Sequence, residues 1–92
     1  MICFLFADET VNFIFSILID SLTTGSNNVA VGNAALTANT GGSQNTAVGG
    51  ESLDANSTGN YNTAVGRNAL TSNTTASSNS AFGISALQEN TT

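Results

Sequence analysis

Five residue columns recur along this chain at a step of seventeen: Asn28/Asn45/Asn62/Asn79, Ala30/Ala47/Ala64/Ala81, Gly32/Gly49/Gly66/Gly83, Leu36/Leu53/Leu70/Leu87 and Asn39/Asn56/Asn73/Asn90. A pattern that recurs without a slip means that each copy is the same structural unit, too small to bury its own apolar face and stacked on its neighbour. The copies run 28–44, 45–61, 62–78 and, cut short, 79–92. The sequence from 23 onward is rich in Asn, Thr, Ser, Gly and Ala. Such a composition alone suits disorder. The register argues for order, because a disordered chain has no need to keep leucine and glycine in step.

One copy, Asn45-Thr46-Ala47-Val48-Gly49, shows how the unit is expected to fold. Thr46, Ala47 and Val48 favour a short strand. Gly49 then permits a turn that other residues take less easily, and Gly32, Gly66 and Gly83 hold the equivalent place. A second short segment is expected to start at Leu53, followed by turn chemistry at Ser57-Thr58-Gly59-Asn60. Stacked in parallel, the strands pair with their copies at roughly 4.8 Å per step. The expected fold is therefore all-β, a parallel β-solenoid of seventeen-residue rungs.

The columns also suggest their surroundings. Leu36, Leu53, Leu70 and Leu87 are expected to stack as an interior ladder, and Asn39, Asn56, Asn73 and Asn90 as an amide ladder along the stacking axis. Within the strand, Ala30, Ala47, Ala64 and Ala81 point one way, and Val31, Val48, Val65 and Phe82 point the other. Both faces are apolar, as in a strand covered on both sides. A single thin coil covers one face only. Three coils packed around an axis cover the other, so Val31, Val48, Val65 and Phe82 are the expected subunit interface of a homotrimer.

A composition break near 21–24 divides this array, 23–92, from an apolar segment, 1–22. A secretory leader wants a basic start, and no Lys or Arg precedes this apolar run. A membrane-spanning helix wants about 20 apolar residues, and the stretch 11–19 is about half that and contains Asn12 and Ser16. A short element is the better reading, capping the first copy. Asp8, Glu9 and Thr10 suit a helix start, and Val11, Ile14, Phe15, Leu18 and Leu22 share a helical stripe. Phe13, Phe15, Ile17 and Ile19 alternate as a strand does. Helix is the preferred expectation.

At Asn-x-Ala-Val-Gly-x-x-Ala-Leu the pattern resembles the head repeats of trimeric autotransporter adhesins. It is closer still to the Asn-Thr-Ala-Val-Gly-x-x-Ala-Leu repeats of phage and viral tail-fibre-like proteins. The resemblance covers 23–92, about three quarters of the chain, and residues 1–22 match neither group. It implies a left-handed parallel β-roll that trimerises. It also implies an extracellular place, on a cell surface or a virion fibre, and attachment to a carbohydrate or protein receptor.

The residues present narrow the chemistry. There is no His or Lys, one Cys (Cys3) and one Arg (Arg67), against six acids, for a net charge of −5. Serine triads and Cys–His pairs need a histidine, and nucleic acid demands a basic surface. Glu51 and Asp54 stand three apart, a spacing open to carboxylate catalysis, but other copies carry Ala34, Thr37, Asn68 and Thr71 there, so surface variation is the simpler reading. Calcium-binding repeats need an Asp in every turn, and the array has Asp54 once. No catalytic residue, cofactor or metal site is expected. Asn56, Asn73 and Asn90 each begin an Asn-x-Ser/Thr sequon, yet an interior asparagine is closed to a glycosyltransferase. The column Thr40/Ser57/Thr74/Thr91 supplies an alternative function, a monomeric solenoid that binds ice or another regular surface.

Overall fold

A computed structural model describes residues 2–4, 12–16 and 24–92 of the chain. Six strands, β1 (Ile2–Phe4), β2 (Asn12–Ser16), β3 (Asn28–Val31), β4 (Thr46–Val48), β5 (Thr63–Val65) and β6 (Ser80–Phe82), form one sheet in chain order. β1 runs antiparallel to β2. Every pairing from β2 to β6 is parallel. The described residues are all-β, with no helix among them.

The register follows the sequence period. Ala30 pairs with Ala47, Ala47 with Ala64 and Ala64 with Ala81, while Val31, Val48, Val65 and Phe82 form the neighbouring row. The alanines are fully or almost fully buried. In β4 and β5 the residues on either side are half-buried. Ala30, Ala47, Ala64 and Ala81 share one core with Ala35, Leu36, Leu53, Ala69 and Leu70.

Two expectations are corrected. The helix preferred for the N-terminal segment is a strand over 12–16, and the rest of that expectation lies outside the described residues. β2 pairs with β3 at a step of sixteen: Asn12 lies opposite Asn28, Ile14 opposite Ala30 and Phe15 opposite Val31. Alternating aromatics favour a strand, and the free edge of β3 supplies the hydrogen-bonding partner that an isolated helical stripe lacks.

The second strand expected near Leu53 is absent as well. Residues 50–55 are turns, and each copy carries one strand. The reason lies in the backbone. Gly49, Glu51 and Leu53 have φ of 127°, 61° and 49°, and their equivalents in the other copies are also left-handed. A strand cannot contain alternate residues of positive φ. A non-glycine residue held this way costs about 1–2 kcal/mol, so neighbouring structure must hold it there.

That structure is a backbone ladder extending beyond the strands. Leu53 N–H donates to the Ala69 carbonyl at 3.0 Å and Ala55 N–H to that of Thr71 at 3.2 Å, both sixteen residues ahead. Glu51 N–H donates to Asn33 at 2.8 Å and Gly66 N–H to Val48 at 2.7 Å, both eighteen back. This staggered pattern is that of a parallel pair in a seventeen-residue register.

Candidate functional site

The surface singled out by the sequence is the row Val31, Val48, Val65 and Phe82. The three valines are half-buried, and Phe82 is 69% exposed. Phe15 lies opposite Val31 in the sheet register, so the row has apolar residues at five successive strands. It contains no charge and no hydrogen-bonding side chain. Tyr61, Ile84 and Leu87 are the other large exposed hydrophobics among the described residues.

Beneath it the leucine column is closed over most of its length. Leu53 and Leu70 are fully buried and Leu36 is 4% exposed, whereas Leu87 is 48% exposed. Leu87 therefore departs from the interior position expected for it. Leu36, Leu53 and Leu70 are each followed by a further copy, and Leu87 belongs to the copy at the β6 edge.

Asn39, Asn56 and Asn73 are fully buried. Asn56 Nδ2 donates to Asn39 Oδ1 at 3.0 Å, and Asn73 Nδ2 to Asn56 Oδ1 at 2.9 Å. Each also donates to the backbone carbonyl three residues on, at Gly42, Gly59 and Ala76. Asn90 does not extend this chain of amides, because its Nδ2 is buried without a partner. Burial of Asn56 and Asn73 hides the acceptor asparagine of both their sequons in the folded chain.

A second ladder was missed by sequence reasoning. Asn28, Asn45 and Asn62 are as buried as the first set. Their Oδ1 atoms accept the backbone N–H of the equivalent asparagine in the next copy, at 2.9–3.0 Å. Their Nδ2 groups donate to the carbonyls of Gly42, Gly59 and Ala76, the same three oxygens. The fixed column was visible in the sequence, but its burial was not, because Asn28 begins a strand and Asn45, Asn62 and Asn79 immediately precede one, where a solvent-facing turn residue is equally common. Hydroxyls make another set. Thr24, Thr40 and Ser57 donate to the carbonyls of Thr40, Ser57 and Thr74.

The turn glycines Gly32, Gly49 and Gly66 have φ between 127° and 131°, and Gly83 has 120°. At Gly49 a Cβ would also lie 2.7 Å from the Gly66 carbonyl carbon, so conformation and packing both demand glycine.

The described charged side chains form no centre. Arg67 Nη2 lies 3.9 Å from Glu51 Oε1 with both side chains well exposed, an arrangement of little energetic weight. Asp54 Oδ1 accepts the Thr37 hydroxyl at 2.7 Å. Among the described residues no three His, Cys, Asp or Glu side chains converge. No helix among them is long and apolar enough to cross a membrane. Comparison with protein-family models, curated proteins and solved structures finds no match to this chain.

Proposed function

We propose that this chain is a β-solenoid module of β-roll type, built of seventeen-residue rungs. On this reading it is a homotrimeric, structural and adhesive part of a fibrous surface protein of tail-fibre or adhesin-head type. The observation that carries the proposal is the uncharged row Val31, Val48, Val65 and Phe82 beside a core already closed by alanine, leucine and asparagine. The row has no interior to serve, and a chain of net charge −5 meets its own copies best through a face without charge. Three copies share that face around one axis. The module works outside the cell, on a cell surface or a virion fibre, and needs no cofactor or catalytic residue.

Attachment to a carbohydrate or protein receptor then comes from three chains acting together rather than from one deep pocket. Avidity of this kind multiplies a weak single contact by about 10²–10⁴. A glycan array and whole-cell binding, run with the native chain and with Val48→Asp, test the idea. The native chain binds a discrete glycan class or cell type, and Val48→Asp loses at least about 100-fold of it. Binding unaffected by the substitution contradicts the proposal.

The alternative of an ice-binding monomer has less support. It needs hydroxyls free to order water, and those of Thr40 and Ser57 donate to carbonyls of the chain itself.

A further inference from the structure

Tyr61 is 62% exposed in a copy that has paired neighbours on both sides. The other large exposed hydrophobics among the described residues, Phe82, Ile84 and Leu87, all belong to the copy at the β6 edge. Tyr61 is also the only tyrosine, and the chain has no tryptophan. Its column reads Asn27, Gln44, Tyr61, Ser78. The Gln44, Tyr61 and Ser78 N–H groups donate to the carbonyls of Ser26, Ser43 and Asn60, eighteen residues back, at 2.9–3.1 Å. That places Gln44 and Ser78 one copy to either side of Tyr61, at roughly 4.8 Å per step. The row is held by backbone bonds, so a ligand has little ordering to impose on it.

The adjacent column is used differently. Ser43, Asn60 and Ser77 accept backbone N–H groups of the preceding copy through their side-chain oxygens. The side chains of Gln44, Tyr61, Thr63 and Ser78 make no hydrogen bond to the described residues. No charged side chain occurs at 43–46, 60–63 or 77–80, and the one basic side chain, Arg67, lies beside Glu51. Burial alternates here, with Asn62 and Ala64 closed and Thr63 and Val65 half-buried. Tyr61 therefore borders the face that carries the valine row, and packing through the valines leaves it at the rim.

We infer that Tyr61, with Gln44, Ser78 and Thr63 around it, is a binding site for a neutral sugar. The inference rests on the receptor reading above and names the class of receptor. An aromatic face takes the C–H side of a pyranose ring. The flanking amide and hydroxyls both donate and accept, as sugar hydroxyls require. Rigid tyrosine beside adaptable polar side chains is the make-up of a recognition surface. An anionic sugar wants a basic partner, and none lies in these columns. An apolar peptide anchor wants a closed pocket, and Tyr61 is open.

The test uses the native full chain, whose tyrosine fluorescence reports on Tyr61 alone. It is titrated with the methyl glycosides of glucose, galactose and mannose, and with N-acetylneuraminic acid as the charged comparison. At least one neutral glycoside is expected to give a saturable change with a Kd of about 1–10 mM, as suits one small ligand on an open surface. The acid is expected to bind at least about tenfold more weakly. Saturation-transfer NMR then compares variants at this exposed position. Tyr61→Phe should stay within about threefold of the native affinity and Tyr61→Ala should lose at least about tenfold. No response to any neutral glycoside, equal binding of the acid, or an unchanged Tyr61→Ala overturns the inference. The solution mass of the chain separates this from the subunit reading: a single-copy chain that still binds the glycoside retains the sugar site and loses the trimer, and a threefold mass without binding does the reverse.

Discussion

Asn28 and Asn39 donate their side-chain amides to one oxygen, the carbonyl of Gly42, each at 2.9 Å. Asn45 and Asn56 do the same at Gly59, and Asn62 and Asn73 at Ala76. Two asparagine columns that look separate in the sequence thus act as one clamp. It ties the turn at 42, 59 or 76 to two other points of its own copy, while the Oδ1 atoms of the same asparagines link that copy to the next.

Removing one amide of the clamp should be costly. Asn56→Asp deletes the donors to Gly59 and Asn39 and sets a carboxylate against two oxygens inside a closed interior. Each buried polar group left unsatisfied costs about 1–3 kcal/mol, so a loss of about 3 kcal/mol or more is expected in urea unfolding. A change below about 0.5 kcal/mol, the level of an ordinary surface substitution, contradicts the clamp.

Two glycines offer a paired comparison. Gly59→Ala puts a methyl group against the Ala76 carbonyl and should cost about 1–3 kcal/mol. Gly41→Ala meets nothing closer than Thr24 Oγ1 at 3.5 Å, and should be neutral or stabilise by about 0.4–1 kcal/mol through the unfolded state. Thermal melts of the two variants check the order, and Gly59→Ala melting as high as Gly41→Ala removes the packing argument.

The leucine column divides in the same way. Leu53→Ala and Leu70→Ala empty fully closed positions and are expected to cost about 2–5 kcal/mol each. Leu87→Ala, at a half-open position, should cost less than about 1 kcal/mol. Chemical unfolding of the three variants decides it, and a Leu87→Ala loss equal to that of Leu53→Ala contradicts the account.

The ion pair should carry almost nothing. Arg67→Ala removes an exposed partner of Glu51 at 3.9 Å, and a shift below about 1 kcal/mol is expected at low salt. A larger loss would show that Arg67 serves through contacts of its aliphatic stem.

The sheet register was legible because it is the sequence period itself: Ala30, Ala47, Ala64 and Ala81 are partners in the fold as they are columns in the chain. The turns were less so. Glycine announces positive φ, but Leu36, Leu53, Leu70 and Leu87 adopt it too, and the first three are held by hydrogen bonds between copies that no local propensity encodes. β2 was obscured for a different reason. Asn12 lies opposite Asn28 in the register, yet the step there is sixteen rather than seventeen and aromatics stand beside Ile14, so neither spacing nor composition matched the array. The valine row was legible as an apolar column, since alternation along a strand is set by the backbone.

That row is the centre of the functional reading, and solution mass tests it most directly. Light scattering coupled to size exclusion on the native chain should give three times the 9.3 kDa of one copy. Val48→Asp should fall to the single-chain mass, while Asp54→Ala stays at the threefold value. A folded native chain at 9.3 kDa, or an assembly that survives Val48→Asp, contradicts the claim that this face joins the copies.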